Sequence, residues 1–192
     1  MSPRAPPSVH QLKITLTGIR PPIWRRVQVS SAINLRRLHD VIQAAMGWTQ
    51  SHLYRFEVGG VDFGEPDSAE ELAFRRAKAT PLRKIAPAPG AVFLYEYDFG
   101  DSWQHRIEVE KVLPPGPGTS YPRCLAGKRA CPPEDVGGIW GYEEFLQAIR
   151  DPKHPEHAAM LEWVGGAFDP EAFDRQAVND ELAHLGPSPW DS

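Results

Sequence analysis

Three stretches of the sequence bring together side chains that can bind a cation, move a proton or contact a phosphate. The densest is Tyr95-Glu96-Tyr97-Asp98-Phe99-Gly100-Asp101-Ser102-Trp103-Gln104-His105. Asp98 and Asp101 flank an expected hairpin tip, and His105 follows on the returning strand. Strand ends joined by a tight turn can hold two carboxylates and an imidazole close together, a set suited to a divalent metal or to acid–base catalysis. The plainer alternative is that the aspartates cap the turn through backbone N–H groups, with His105 simply part of the sheet. Asp98-Phe99-Gly100 matches the metal-binding triplet of protein kinases. No phosphate-covering glycine loop or His-Arg-Asp string accompanies it, so a kinase is excluded.

The second stretch holds the two cysteines, Cys124 and Cys131. Thiolates and imidazoles are the preferred ligands of zinc, but Cys-x6-Cys is not a knuckle spacing. Two further ligands would have to come from elsewhere, and His52 and His105 are the natural candidates. Otherwise the cysteines are reduced buried thiols, or a pair that oxidises opportunistically. Glu134 and Asp135 are either ligands as well or acidic residues suited to a helix N-terminus. The third stretch is Pro21-Pro22-Ile23-Trp24-Arg25-Arg26. Arginines around an aromatic can contact phosphate and stack on a base, and Arg36 and Arg37 on the next helix would extend the patch. The alternative is that these arginines pair with the acidic C-terminal helices. His52, in Trp48-Thr49-Gln50-Ser51-His52-Leu53-Tyr54, falls at the end of an element, where site residues often sit.

The elements that must position these groups follow from periodicity. Leu12, Ile14 and Leu16 alternate with polar neighbours, as do Ile23, Arg25, Val27 and Val29, which predicts an antiparallel strand pair. Leu35, Leu38, Val41, Ile42, Ala45 and Met46 recur at helical spacing, with Asn34 as N-cap and Gly47 just past the end. Leu53–Val58 and Val61–Phe63 form a hairpin about Gly59-Gly60. Residues 64–80 are expected to be loop with one helical turn, and Leu82 and Ile85 a further short turn of helix. Ala91–Asp98 and Trp103–Val112 are two longer strands. Residues 114–138 carry six prolines and no periodicity, the pattern of a long loop. Three helical patterns follow, at Tyr142–Arg150, Pro155–Val164 and Pro170–Leu185. The expected class is α+β: a mainly antiparallel sheet of about six strands, one helix between strands, and a C-terminal group of about three helices.

The 192 residues suit one domain over 8–185, with flexible tails at 1–7 and 186–192. The charged fraction of 24% and the hydrophobic fraction of 41% are ordinary for a globular protein and exclude disorder throughout. No apolar run is long enough to span a bilayer, and no secretory signal precedes the first strand, so a cytoplasmic protein without a membrane partner is expected. The net charge of −4 hides an asymmetry. Residues 1–60 carry eight Lys/Arg and two Asp/Glu, net +6, whereas residues 134–192 carry three and thirteen, net −10. A basic front and an acidic back either attract each other or mark an anion-facing surface and a solvated helical one.

Taken in order, Pro21–Arg26, Leu38-His39-Asp40-Val41-Ile42-Gln43, Ser51-His52-Leu53, Tyr97–His105 and Ala130-Cys131-Pro132-Pro133-Glu134-Asp135 resemble the plasmid pRiA4b ORF-three-like family, some of whose relatives are labelled TnpR-like. The resemblance runs from about residue 8 to 185. It implies a single α+β domain of bacterial, archaeal and mobile-element origin, without an established activity. The resolvase label rests on genetic neighbourhood, and neither a serine- nor a tyrosine-recombinase pattern is present, so recombination is not carried over. The resemblance also implies His in many relatives where this chain has Tyr54, and Cys where it has Val136. If those positions complete a metal site elsewhere, two ligands are lost here. Two functional expectations follow. The first is a non-enzymatic binding or adaptor module, partnered by nucleic acid or a mobile-element protein and using Trp24, Arg25, Arg26, Arg36 and Arg37. The alternative is a metal-dependent, hydrolase-like enzyme with a divalent cation near Asp98, Asp101 and His105, with His52 nearby.

Overall fold

The computed structural model describes residues 7–65 and 75–186. The expected flexible tails therefore lie outside the described residues except for Pro7 and Gly186, and part of the expected 64–80 loop does too. Eight strands form one sheet: β1 Val9–Leu16, β2 Ile23–Ser30, β3 Tyr54–Val58, β4 Val61–Gly64, β5 Arg75–Arg76, β6 Val92–Tyr97, β7 Trp103–Leu113 and β8 Arg123–Lys128. Their order is β5-β4-β3-β6-β7-β1-β2-β8. All pairs are antiparallel except β4 with β5, so the sheet is mixed but mostly antiparallel.

Alternation decides which face is covered. On β1, Leu12, Ile14 and Leu16 are fully buried, and they pair with Val27, Arg25 and Ile23 of β2. On β7 the inward set is Trp103, His105, Ile107 and Val109, with Gln104 and Arg106 exposed between them. The inner face packs against α1, Leu35–Met46. The Asn34 side chain accepts the Arg37 N–H at 2.8 Å, and Gly47, at φ 96°, ends the helix in the left-handed conformation that glycine adopts without strain. The helix buries polar groups too. His39 Nδ1 and Gln43 Nε2 meet the Tyr95 hydroxyl at 2.7 and 3.0 Å, so a satisfied polar layer lies within the apolar core.

The remaining helices are α2 Leu82–Ile85, α3 Gly138–Arg150, α4 His157–Trp163 and α5 Arg175–His184. Helix α5 packs on β8 and α1, and α3 packs on α4. The α+β class and the C-terminal cluster of three helices agree with the sequence. The strand count does not: the described residues form eight strands, not about six. Strand β5 is a two-residue pairing on the edge of β4, too short for any periodicity. Strand β8 falls within the proline-rich stretch expected to be loop. It is a strand because it pairs along the free edge of β2, from Trp24↔Lys128 to Gln28↔Arg123.

Candidate metal centre

The site lies at the end of the sheet where the β6–β7 hairpin turns. Asp98 and Ser102 bound this turn and both take left-handed backbone angles, φ 57° and 53°. Asp98 Oδ1 accepts the N–H groups of Gly100 (2.9 Å) and Asp101 (3.3 Å). The turn-capping role is therefore real, but it uses only one oxygen. The other, Oδ2, faces His52 Nε2 at 3.6 Å. The segment after α1 brings His52 there: Ser51 N–H donates to the Tyr97 hydroxyl at 3.0 Å, and Asp98 N–H donates to Leu53 O at 2.9 Å.

The third group comes from the loop before α3. Asp135, at φ 61°, places Oδ1 2.8 Å from His52 Nε2. One ligand atom each from His52, Asp98 and Asp135 lies within 4.8 Å of the other two. Metal–ligand bonds of about 2.0–2.2 Å put adjacent donors roughly 3–3.5 Å apart, so small rotations would close this triad on one ion. The side chains are graded in exposure, at 12% for Asp98, 32% for His52 and 68% for Asp135. A cation here would be held from below and open to solvent above. One imidazole and two carboxylates form a mixed nitrogen–oxygen set that suits borderline to hard divalent ions such as Mn²⁺, Fe²⁺ or Zn²⁺.

A layer of hydrogen bonds fixes the three loops. Tyr97 donates to Glu134 Oε1 at 2.5 Å, and burial, followed by Glu134 itself, pushes the Tyr97 phenol pKa upward. Thr49 donates to Glu134 Oε2 through its backbone N–H, at 2.9 Å, and through its hydroxyl. Trp48 Nε1 donates to Pro132 O at 2.9 Å, and the indole stacks on Tyr97. Asp101 Oδ2 accepts the Gly137 N–H at 3.2 Å, bracing the hairpin tip against the loop that carries Asp135.

Of the residues singled out in the sequence, Asp98 and His52 converge, and Asp135 joins them. Asp101 stands beside them as a brace. His105 does not join. It points into the core, with Nδ1 donating to Trp103 O at 3.0 Å, and burial lowers its pKa to about 4. Cys124 is on β8, with its Sγ near Ala126 O. Both thiols have raised pKa values through burial, and neither joins a metal-ligating cluster among the described residues. Tyr54 stacks on His39 at 3.8 Å, inside the core.

The basic and aromatic set occupies three separate places. Trp24 and Arg26 lie on the open outer face of the sheet, where Arg26 grips Glu110 through two bonds of 2.6 and 2.7 Å. Arg25, 3% exposed, lies on the opposite face and donates to the carbonyls of Ala45, Trp24 and Lys128. Arg36 pairs with Asp40 at 2.8 Å, and Arg37 caps the carbonyls of Leu185 and Gly186.

An α+β fold with a mixed, mostly antiparallel sheet and a histidine–carboxylate triad at one end, formed by three loops, defines a protein with a candidate divalent-cation centre. The model of the family described as "Plasmid pRiA4b ORF-3-like protein" matches residues 8–177, and the chain belongs to that family. The chain is 46% identical over 181 residues to the uncharacterized protein y4hQ of Sinorhizobium fredii, covering 92% of this chain and 93% of that one. It also resembles the crystal structure of a protein of unknown function from Methanosarcina mazei Go1, with a TM-score of 0.80 and 40% identity over 89% of this chain and 97% of that one. No helix among the described residues is long and apolar enough to cross a membrane.

Proposed function

We propose that this protein is a metal-dependent enzyme of hydrolase type, with its reactive cation held by His52, Asp98 and Asp135. The observation that carries this reading is the convergence of those three ligand atoms from three separate chain segments. Three protein ligands leave coordination positions for water and substrate, the arrangement of catalytic rather than structural metal sites. A cation held by these three side chains would supply Lewis acidity, lowering the pKa of bound water and polarising a carbonyl or phosphoryl oxygen. The dispersal of Trp24, Arg25, Arg26, Arg36 and Arg37 supports this reading over a binding module built on those residues.

Isothermal titration of untagged, chelator-treated protein with Mn²⁺, Zn²⁺ and Mg²⁺ tests it, followed by a panel of chromogenic ester, amide and phosphoester substrates. We expect about one equivalent of a transition metal to bind. Affinity should fall at least about tenfold, or 1.4 kcal/mol, in each of His52→Ala and Asp98→Ala, and hydrolysis should require the metal. No binding of any of the three ions, or turnover that persists in chelator, refutes it.

A further inference from the structure

Between α3 and α4 runs a groove with a volume of about 580 Å³ that begins at Asp135, a residue of the candidate metal centre. Its floor is apolar: Phe145 is buried, Met160 is half-buried, and Trp163, 48% exposed, meets Phe145 edge-to-face at 5.8 Å. Its rim is acidic. Besides Asp135 it carries Glu144 and Glu156, both exposed and neither in an ion pair among the described residues. No Lys or Arg among the described residues lines it, and the His154 ring is oriented by accepting the Glu156 N–H at 3.1 Å. Residues 134–163, which form the two helices and their flanking loops, carry seven Asp/Glu and two Lys/Arg, net −5, so the local field has the same sign.

We infer that this groove binds a cationic group on an apolar body, an ammonium or amidinium borne by an aromatic or aliphatic chain, and so selects positively charged substrates for the neighbouring centre. An indole face attracts a cation through its quadrupole, and carboxylates at the rim supply the matching charge. A polyanion is repelled by the same rim. Only the link to catalysis rests on the function proposed above; recognition of the cation does not need the metal.

The test uses three probes of one shape: benzamidinium, neutral benzamide and anionic benzoate, titrated by isothermal calorimetry into the metal-free full chain. Benzamidinium should bind at least about tenfold more tightly than benzamide, with benzoate weakest. The double variant Glu144→Gln/Glu156→Gln changes only exposed groups. It should lose about tenfold in benzamidinium affinity while keeping wild-type metal affinity. Trp163→Ala should weaken benzamidinium more than benzamide. Equal binding of benzamidinium and benzamide, or a double variant that binds as wild type, overturns the inference. So does sedimentation showing a dimer that the double variant abolishes, because a second copy would then fill the groove. Protein that takes up no metal yet prefers benzamidinium overturns the enzyme reading and upholds the groove. Protein that takes up metal but ignores benzamidinium overturns the groove alone.

Discussion

Gly138→Ala tests whether the site depends on how closely two loops approach. Gly138 has φ +68°, and a Cβ added there would lie 2.6 Å from the backbone oxygen of Asp101. Relaxing that overlap to ordinary van der Waals contact, which begins at 3.4 Å, requires the hairpin tip and the pre-α3 loop to separate by about 0.8 Å. Asp98 rides on the first of these segments and Asp135 on the second. Metal–ligand distances must hold to within about 0.2 Å, so a displacement of that size disrupts the triad. Affinity for the transition metal should fall at least about tenfold. Left-handed backbone geometry adds a cost of about 1–2 kcal/mol for alanine. Gly59→Ala separates the two effects: its φ is +57°, but the added Cβ meets nothing within 4 Å. That control should lose about 1 kcal/mol of stability by the backbone cost alone and bind metal normally. Thermal melts and metal titrations of both variants provide the comparison. Gly138→Ala protein that matches Gly59→Ala in both measurements would show that the contact between loops does not set the site.

Acid should weaken the fold before the surface carboxylates titrate. His10, His39 and His105 all have pKa values lowered by burial, His39 to about 3 and His105 to about 4. The unfolded chain takes up protons near pH 6.5 that the native core refuses. Stability is therefore complete above that pH and declines as pH falls toward 4, by about 3 kcal/mol for His105 alone. Urea midpoints at pH 7.5, 6 and 5 measure this, and a flat profile contradicts it. The adjacent arginines should also behave oppositely. Arg25→Ala strands the carbonyls of Ala45 and Lys128 and should cost about 3 kcal/mol, whereas Arg26→Ala breaks a part-exposed ion pair and should cost about 1 kcal/mol or less. Equal shifts in denaturant midpoint would contradict the assignment of these side chains to opposite faces.

Much of the fold was legible because its elements announce themselves locally. Helix α1 shows its apolar stripe, its Asn34 cap and its Gly47 stop in twelve residues and their neighbours. The β3–β4 hairpin is marked by Gly59-Gly60, and β6 and β7 by alternation. Strand β8 was not legible, because Arg123-Cys124-Leu125-Ala126-Gly127-Lys128 has neither alternation nor β-branched residues. Its structure comes from the edge of β2 and from Asn179 of α5, whose side chain bonds both the N–H and the carbonyl of Cys124. Periodicity also bears on the site. His105 shares the inward register of Trp103 and Ile107, which removes it from the hairpin tip. Asp98 lies past the last paired residue, where register no longer dictates where a side chain points.

What the sequence concealed was the assembly of the site, and hydrogen bonding explains why. His52, Asp98 and Asp135 are 46 and 37 residues apart, and no apolar pattern links their loops. The links are Tyr97 to Glu134, Thr49 to Glu134, Trp48 to Pro132, and Asp101 to Gly137. Thr49 reaches Glu134 through two hydrogen bonds and the others are single polar contacts, and all of them join segments far apart in the sequence. Each also lies outside the triad, so the candidate ligands need not hold one another in place. Asp98 divides this labour within one side chain: one oxygen rigidifies the turn and the other remains free to face His52. Such a division orients a ligand before any ion arrives, which lowers the ordering cost of binding. A turn built only for the hairpin would need the first oxygen and not the second.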